Sequence, residues 1–158
     1  MTDVKVLIAK VADVADIAKL SYEVGRLHDE AMPTYFMPST LDEHLRIISE
    51  MLNSKTEAVF KAVLEGEICG FLCLYVPQKE RKGFVYAKTG VILNMGVDEA
   101  YRGKGVGTAL ICEAEKYLLQ KGILALELGV YVFNENARKL YEKLGFTTIE
   151  WQMFKKLK

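Results

Sequence analysis

The segment Met95–Thr108 constrains the fold of this chain most, because it leads from an apolar strand pattern through three alternate glycines into an amphipathic helix pattern. A helix N-terminus leaves backbone N–H groups unpaired and carries about half a positive charge, so it binds an anion through donors and dipole together. The glycines remove side chains where an anion would approach, while Arg102 and Lys104 add positive charge. The first helical turn lacks the acidic residues that usually favour that position. The sequence therefore predicts an anion site at this turn.

Two familiar phosphate-binding patterns do not fit this segment. A dinucleotide-binding fingerprint requires G-x-G-x-x-G, whereas this chain has G-x-G-x-G, preceded by Arg and with no βαβ unit upstream. A nucleoside-triphosphate loop requires G-x-x-x-x-G-K and then Ser or Thr, and here Lys104 is followed by Gly105. A plain glycine-rich turn without a ligand stays open as an alternative on this segment alone.

The composition favours one domain spanning residues 1–158, since 51% of the residues are apolar and can form a sizeable core. The 21 basic and 21 acidic side chains balance, and no basic helix or aromatic-basic stripe stands out, so we expect neither a nucleic-acid nor a membrane partner. The N-terminal region has no apolar run of signal-peptide or membrane-spanning length, which favours a cytoplasmic location.

The cysteines and histidines predict no metal site. Cys69, Cys73 and Cys112 lie in apolar segments without C-x-x-C spacing, so we expect buried free thiols. His28 and His44 are sixteen residues apart and lack a metal-ligand context.

Periodicity predicts two helices between the first two strands and an alternation of strands and helices after them. Asp13 is expected to cap the first helix, and Thr40 with Glu43 forms a capping box for the second. Asn94 and Gly96 interrupt a long strand, which indicates a bulge or a close approach to the backbone. The predicted strands span 4–8, 58–64, 68–76, 84–97, 124–133 and a tail at 146–157, and the predicted helices span 13–24, 40–53, 106–121 and 134–144.

The predicted elements follow the order β-α-α-β-β-β-α-β-α-β. This order and two sequence motifs within it resemble the GNAT N-acetyltransferase superfamily over essentially the whole chain. The family pattern [QR]-x-x-G-x-[GA] is matched by Arg102, Gly105 and Gly107. The pattern N-x-x-A-x-x-L-Y-x-x-x-G-F is matched from Asn134 to Phe146. The resemblance implies an α/β (α+β) fold with a mixed central sheet of six to seven strands and helices on both faces.

The resemblance also implies acetyl-CoA as co-substrate. Backbone N–H groups after the fourth strand would hold the pyrophosphate, and the fourth and fifth strands would splay apart at a bulge, expected at Gly96, to admit the pantetheine arm. A backbone N–H near Gly96 or Val97 would polarise the thioester carbonyl. The implied cofactor-binding residues are Met95, Gly96, Val97, Arg102, Gly103, Lys104, Gly105, Val106, Gly107, Thr108, Asn134, Asn136 and Tyr141.

Tyr141 matches the family's general acid, which protonates the departing thiolate. A phenol with a pKa of about 10 and a thiol with a pKa of about 8.5 differ little, so the proton transfer costs little. The alternative is that Tyr141 only packs its ring on the apolar face of its helix.

The general base is less well defined. The branch that acetylates the N-termini of ribosomal proteins has a Glu where this chain has Gly129, and Glu127 lies on the same strand face. Glu127 is therefore a candidate base, with a solvated surface Glu as the alternative. His28 is a second candidate or a substrate contact, and Tyr35 and Phe36 would line the acceptor site; a surface histidine and a loop fastened to the core are the alternatives.

The resemblance leads to an N-acetyltransferase, an acyltransferase in which a primary amine attacks acetyl-CoA directly in a ternary complex. The amine belongs to a small molecule or to a protein. Only thirteen residues follow Gly145, so the acceptor side is either open or completed by a second subunit in a homodimer. The alternative function is a non-catalytic module of the same fold that binds or senses acyl-CoA.

Overall fold

A five-stranded sheet in the order β1-β2-β3-β4-β5 organises the computed structural model, which describes residues 3–158. Strands β1 to β4 pair antiparallel, each with the next, and β5 pairs parallel with β4. Along the chain the elements are β1 Lys5–Ile8, α1 Val14–Ala31, α2 Leu41–Leu52, β2 Glu57–Leu64, β3 Glu67–Tyr75, β4 Gly90–Val97, α3 Val106–Gln120, β5 Leu126–Leu128 and α4 Glu135–Lys143.

Helices cover both faces of the sheet because β3 is apolar on both sides. Phe71 and Cys73 pack with α1 and α2, whereas Leu72 and Leu74 pack with α3. This separation follows from the alternation of side chains along a strand. The predicted α/β architecture with helices on both faces is confirmed. Among the helices of residues 3–158, none combines the length and apolarity needed to cross a bilayer.

The sheet is smaller than predicted. The long strand expected from Phe84 begins only at Gly90, and Val85 is 96% exposed. The strand expected over 124–133 is reduced to Leu126–Leu128. Residues 147–158, expected to be strand-rich, are exposed and contain neither helix nor strand. Strand-type composition did not suffice, because a strand also needs a neighbour that satisfies its backbone groups. Six to seven strands are thus not confirmed.

Helices α1 and α2 both begin after their predicted cap residues, Asp13 and Thr40, but only Thr40 caps its helix with its side chain. Thr40 accepts a hydrogen bond from the Glu43 N–H at 3.3 Å, and the Glu43 carboxylate accepts from the Thr40 N–H at 2.7 Å. The Asp13 side chain makes no cap to α1. Its carboxylate instead accepts from the Lys10 N–H and pairs with the Lys61 ammonium, each at 2.7 Å. The Lys61 partner comes from β2 and was not visible in local sequence.

The bulge in β4 lies at Leu93 rather than at Gly96. Cys73 of β3 pairs with Asn94, and the next residue, Leu74, pairs with Ile92, so Leu93 is the extra residue. There is no room for a side chain at Gly96, because a Cβ there would lie 2.5 Å from the Val24 side chain. The expected close approach at Gly96 is therefore made by α1.

A chain of polar side chains fixes β4 beside this bulge to the two helices. The Asn94 amide donates to the Ser21 hydroxyl at 3.1 Å, and Ser21 contacts His44 Nδ1 at 2.8 Å. His44 Nε2 lies 3.1 Å from the Ser39 hydroxyl, and the Ser39 N–H donates to the Asp29 carboxylate at 3.0 Å. Each contact is satisfied when His44 is neutral, with its proton on Nε2.

Protonation of His44 is predicted to destabilise the fold. Removal from water lowers the pKa of His44. Below pH of about 6.5 the unfolded chain therefore binds more protons at this residue than the folded chain, so the free energy of unfolding decreases as pH falls. We expect the stability of the wild type to decline from pH of about 7 to about 5, and His44→Gln to remove part of that decline. Urea unfolding of both proteins across this range measures it. Parallel stability curves would contradict the prediction, since all other titrating groups cancel in the comparison.

Candidate active site

Strands β4 and β5 part after three residue pairs. Gly90, Val91 and Ile92 pair with β5, which then ends at Leu128, whereas β4 continues to Val97. The edge of β4 beyond the bulge therefore has no strand partner on this side within residues 3–158. This opening beside β4 is the strand gap.

The register of β4 determines which backbone groups face the strand gap. The Asp98 N–H donates to the Cys69 carbonyl at 2.9 Å, so Gly70 and Val97 form a non-hydrogen-bonded pair. Alternation then directs the N–H and C=O of Met95 and Val97 into the gap, while Gly96 bonds to β3. The free donors predicted near Gly96 or Val97 are thus those of Met95 and Val97.

The glycine-rich turn continues from β4 to an uncapped helix N-terminus. Gly103 and Gly105 have φ values of 75° and 82°, and no atom lies within 4 Å of a Cβ placed on either residue. Helix α3 has no side-chain cap and no acidic residue in its first turn. Its first internal bond joins the Ala109 N–H to the Gly105 carbonyl, so the three preceding N–H groups have no partner inside the helix. The turn has the open, donor-rich geometry of an anion site.

The two basic side chains of the turn are held near it. Arg102 Nε donates to the Val97 carbonyl at 3.2 Å. The Lys104 ammonium lies 4.9 Å from the centroid of the Tyr101 ring, within cation–π range. A surface pocket of about 230 Å³ beside the turn is lined by Val97, Arg102 and side chains of α1 that include Leu20. Val97 at the strand gap and Arg102 at the turn both line this pocket, together with the Glu23 and Glu99 carboxylates.

Helix α4 carries three further predicted residues, Asn134 at its N-cap, Asn136 and Tyr141, and packs on α3. A Cβ at Gly107 would lie 3.0 Å from Leu140, so this glycine permits close packing of α3 on α4. The side-chain Oδ1 of Asn134 accepts from the Ala137 N–H at 3.2 Å, which leaves the side-chain NH₂ as a donor. Burial raises the pKa of Tyr141, so its phenol is protonated at neutral pH. Asn136 is exposed in the first turn of α4.

The predicted acceptor residues His28, Tyr35 and Phe36 lie together. His28 Nδ1 is 2.8 Å from the Val24 carbonyl, which only accepts, so Nδ1 carries a proton and Nε2 of the neutral ring is a free acceptor. The His28 ring is 5.2–5.8 Å, centroid to centroid, from three other aromatic rings. Sequence analysis missed three members of this aromatic cluster, which consists of His28, Tyr35, Phe36, Tyr131, Phe133 and Phe154.

Glu127, the other candidate base, forms an ion pair. Its carboxylate lies 3.0 Å from the Arg81 guanidinium, which also stacks 4.2 Å from the centroid of the Phe84 ring. Glu127 is therefore tied to the loop before β4.

Two of the three cysteines lie in the core as predicted, whereas Cys112 on α3 is only partly buried, contrary to the expectation of buried thiols. Cys69 and Cys73 are buried, and burial raises the pKa of Cys73 to about 12. Within residues 3–158, no group of three or more His, Cys, Asp or Glu side chains is placed to hold a metal ion.

The chain is similar in sequence to one protein family and to several individual proteins. A model of the acetyltransferase (GNAT) family matches residues 22–146. The uncharacterized N-acetyltransferase YycN of Bacillus subtilis is 35% identical over 97 residues, which cover 59% of this chain and 56% of YycN. A mycothiol acetyltransferase of Amycolatopsis mediterranei is 34% identical over 94 residues, which cover 60% of this chain and 31% of that protein. The chain thus spans about a third to just over half of these curated relatives.

Solved structures share the fold along almost the whole chain. A tetramutant of the BH1408 protein from Bacillus halodurans has a TM-score of 0.86 at 25% identity, covering 97% of this chain and 99% of that one. The aminoglycoside N-acetyltransferase AAC(6')-Iy, solved in complex with CoA, has a TM-score of 0.80 at 18% identity, covering 99% and 96%. The second likeness concerns the fold alone. Because the family model covers most of a chain with this fold, the protein belongs to the GNAT acetyltransferase family.

Proposed function

We propose that this protein is an N-acetyltransferase that moves an acetyl group from acetyl-CoA to a primary amine in a ternary complex. One observation carries the proposal: the free edge of β4 leads directly to an uncapped helix N-terminus with two left-handed glycines. A ligand that fits both must combine amide groups, which pair with a strand edge, and phosphates, which bind at a helix end. Coenzyme A has both.

The proposed cofactor site assigns a chemical task to each part. The N–H groups of Val106, Gly107 and Thr108, with Arg102 and Lys104, bind the pyrophosphate. The backbone groups of Met95 and the N–H of Val97 pair with the pantetheine amides or donate to the thioester oxygen. The Asn134 amide supplies a further donor, while Gly96, Gly103 and Gly105 keep the backbone conformation and packing that this requires.

In the proposed reaction the neutral amine attacks the thioester carbonyl, forming a C–N bond, and the C–S bond then breaks. Tyr141, whose phenol carries its proton at neutral pH, donates that proton to the departing thiolate. The amine must lose a proton, and we assign this step to His28, because its Nε2 is an available acceptor whereas Glu127 is paired with Arg81. No covalent enzyme intermediate is required, in keeping with the buried thiols.

The aromatic cluster supports an acceptor that carries its amine on an apolar or cationic group. Half-exposed ring faces bind apolar surface and attract cations. Small-molecule and protein amines both satisfy this description. AAC(6')-Iy is an aminoglycoside acetyltransferase by name, which gives one small-molecule amine class to include in a screen.

A thiol-release assay tests the function as a whole. The protein is incubated with acetyl-CoA and a panel of aliphatic amines, polyamines, aminoglycosides, and peptides with free N-termini or lysines. Release of coenzyme A that depends on one amine class supports the enzyme. Tight acetyl-CoA binding without release for any amine would favour the non-catalytic binding module instead.

Tyr141→Phe is expected to reduce kcat by about a hundredfold or more and to leave acetyl-CoA affinity nearly unchanged, because it removes the proton donor and keeps the ring. Steady-state kinetics and calorimetric binding measure the two effects. Tyr117→Phe is the matched control, since Tyr117 lies on α3 and its ring packs against Phe60 of the core. Unchanged turnover in Tyr141→Phe would reduce this residue to a packing role.

Gly105→Ala is expected to weaken coenzyme A binding about tenfold or more, since a side chain at φ 82° strains the turn and projects into its open space. Gly122→Ala is the control: Gly122 has φ 71° just after the other end of α3, with the same free space around its Cβ. It bears a similar backbone penalty far from the proposed phosphates. Equal affinities for the two variants would place the phosphate site elsewhere.

His28→Gln is expected to lower kcat/KM about a hundredfold, because it deletes the proposed base. Glu127→Gln tests the competing assignment and is expected to change kcat/KM by no more than a few-fold. The reverse result, a large loss in Glu127→Gln alone, would transfer the role of base to Glu127.

A further inference from the structure

We infer that a buried hydrogen-bond network positions the acceptor segment, residues 32–40, for binding of the amine, an inference that rests on the proposed function. The acceptor segment joins α1 to α2 and carries Tyr35 and Phe36 of the aromatic cluster. The network consists of Asn94, Ser21, His44, Ser39 and Asp29. It begins on β4 beside the strand gap and ends in the acceptor segment, so it joins the two proposed substrate sites.

All donors of the network point in the same direction when the proton of the neutral His44 ring lies on Nε2. The Asn94 amide donates to the Ser21 hydroxyl, and this hydroxyl donates to His44 Nδ1. His44 Nε2 donates to the Ser39 hydroxyl at 3.1 Å, which in turn donates to the Asp29 carboxylate at 3.4 Å. The network therefore ends on a charged acceptor, and hydrogen bonds arranged in such a series strengthen one another.

The centre of the network is enclosed, so its groups cannot exchange their partners for water. Ser21 is 2% exposed and His44 is 9% exposed. A Cβ at Gly25 would lie 3.0 Å from both His44 Nε2 and the Ser39 hydroxyl, so α1 leaves room for their contact only because residue 25 is glycine. Removing one member of the network leaves buried polar groups unpaired, which is costly.

Ser39 is the point at which the acceptor segment is anchored. Its N–H donates to the Asp29 carboxylate of α1 at 3.0 Å, and its hydroxyl bonds to His44 of α2. The residue before it, Pro38, has no N–H to donate, and the residue after it, Thr40, caps α2. The two rings of the acceptor segment therefore depend for their position on where Ser39 is held.

Asn94 connects the network to the proposed thioester site. It follows the bulge residue Leu93 and precedes Met95, whose backbone groups face the strand gap. Pairing with Cys73 of β3 holds the Asn94 backbone in the sheet. The network thus fixes the acceptor segment relative to the strand that holds the proposed thioester, and its members are positioning residues.

Ser21→Ala and Ser39→Ala interrupt the network on either side of His44. Ser21 bonds to Asn94 and His44 and not to the acceptor segment, so its effect on that segment passes through His44. We expect each variant to raise the KM of the amine about fivefold or more, the size of one lost hydrogen bond. Because neither serine carries a reacting group, kcat and the Kd of acetyl-CoA should stay within about twofold of the wild type.

The double variant tests whether the two serines belong to one network. Either substitution alone already breaks the series, so the amine KM of the double variant should be close to that of the single variants. A rise equal to the product of the two single rises would contradict a shared network. Ser49→Ala is the matched control, because the Ser49 hydroxyl on α2 donates to the Leu45 carbonyl of its own helix at 2.7 Å. Its amine KM should stay within about twofold of the wild type.

Hydrogen exchange followed by mass spectrometry tests the inference without turnover. In Ser21→Ala the amides of residues 35–43 should exchange about fivefold faster or more, and their acceleration should exceed that of β2 and β3. A role in overall stability alone would accelerate the acceptor segment and the strands equally. Ser49→Ala should show no preferential acceleration of the acceptor segment.

The two measurements separate this inference from the proposed function. A raised amine KM with kcat and acetyl-CoA affinity retained supports the inference, whereas an unchanged KM in Ser21→Ala, or an equal rise in Ser49→Ala, overturns it. A wild type that acetylates no amine refutes the proposed function, and hydrogen exchange then decides alone. Preferential acceleration of residues 35–43 supports the positioning of the acceptor segment, and equal acceleration of segment and strands overturns it.

Discussion

The site depends on the parting of β4 from β5 after three residue pairs. An internal strand normally satisfies its backbone groups on both sides, and unpaired buried groups are costly. Here the Met95 and Val97 backbone groups lie at an opening that a ligand with amide groups can enter. The strand must nevertheless stay in place without its neighbour. Close packing of Val24 on Gly96 and the hydrogen bonds from Asn94 through Ser21 to His44 hold it from the helix side.

Local sequence predicted those features that local chemistry determines. The Thr40–Glu43 capping box forms as expected, and the helix after the glycine-rich turn begins at Val106 as predicted. Asp13 failed as a cap because Lys61, 48 residues away, supplies an ion pair to its carboxylate. The bulge was misplaced at Gly96 for a similar reason, since pairing with β3 places the extra residue at Leu93. Neither the Lys61 partner of Asp13 nor the β3 register of the bulge can be identified from the neighbouring residues in the sequence.

The acceptor side was only partly predictable. His28, Tyr35 and Phe36 were selected because they flank one loop, and they do lie together. Tyr131 and Phe133 were assigned to a strand, where their alternation placed them, but the ladder ends at Leu128 and their rings turn towards His28. The Glu127–Arg81 pair spans 46 residues and was equally hidden. Side chains from separate segments build this side, so its chemistry appears only when the sheet is assembled.

The brevity of β5 keeps the proposed cofactor site open. A strand of three residues is too short to cover β4 to its end, which leaves the strand gap open on one side. A longer β5 would pair with more of β4 and stabilise the sheet at this edge, but it would close the gap beside Met95 and Val97. The sheet therefore cannot gain stability at this edge without losing the opening.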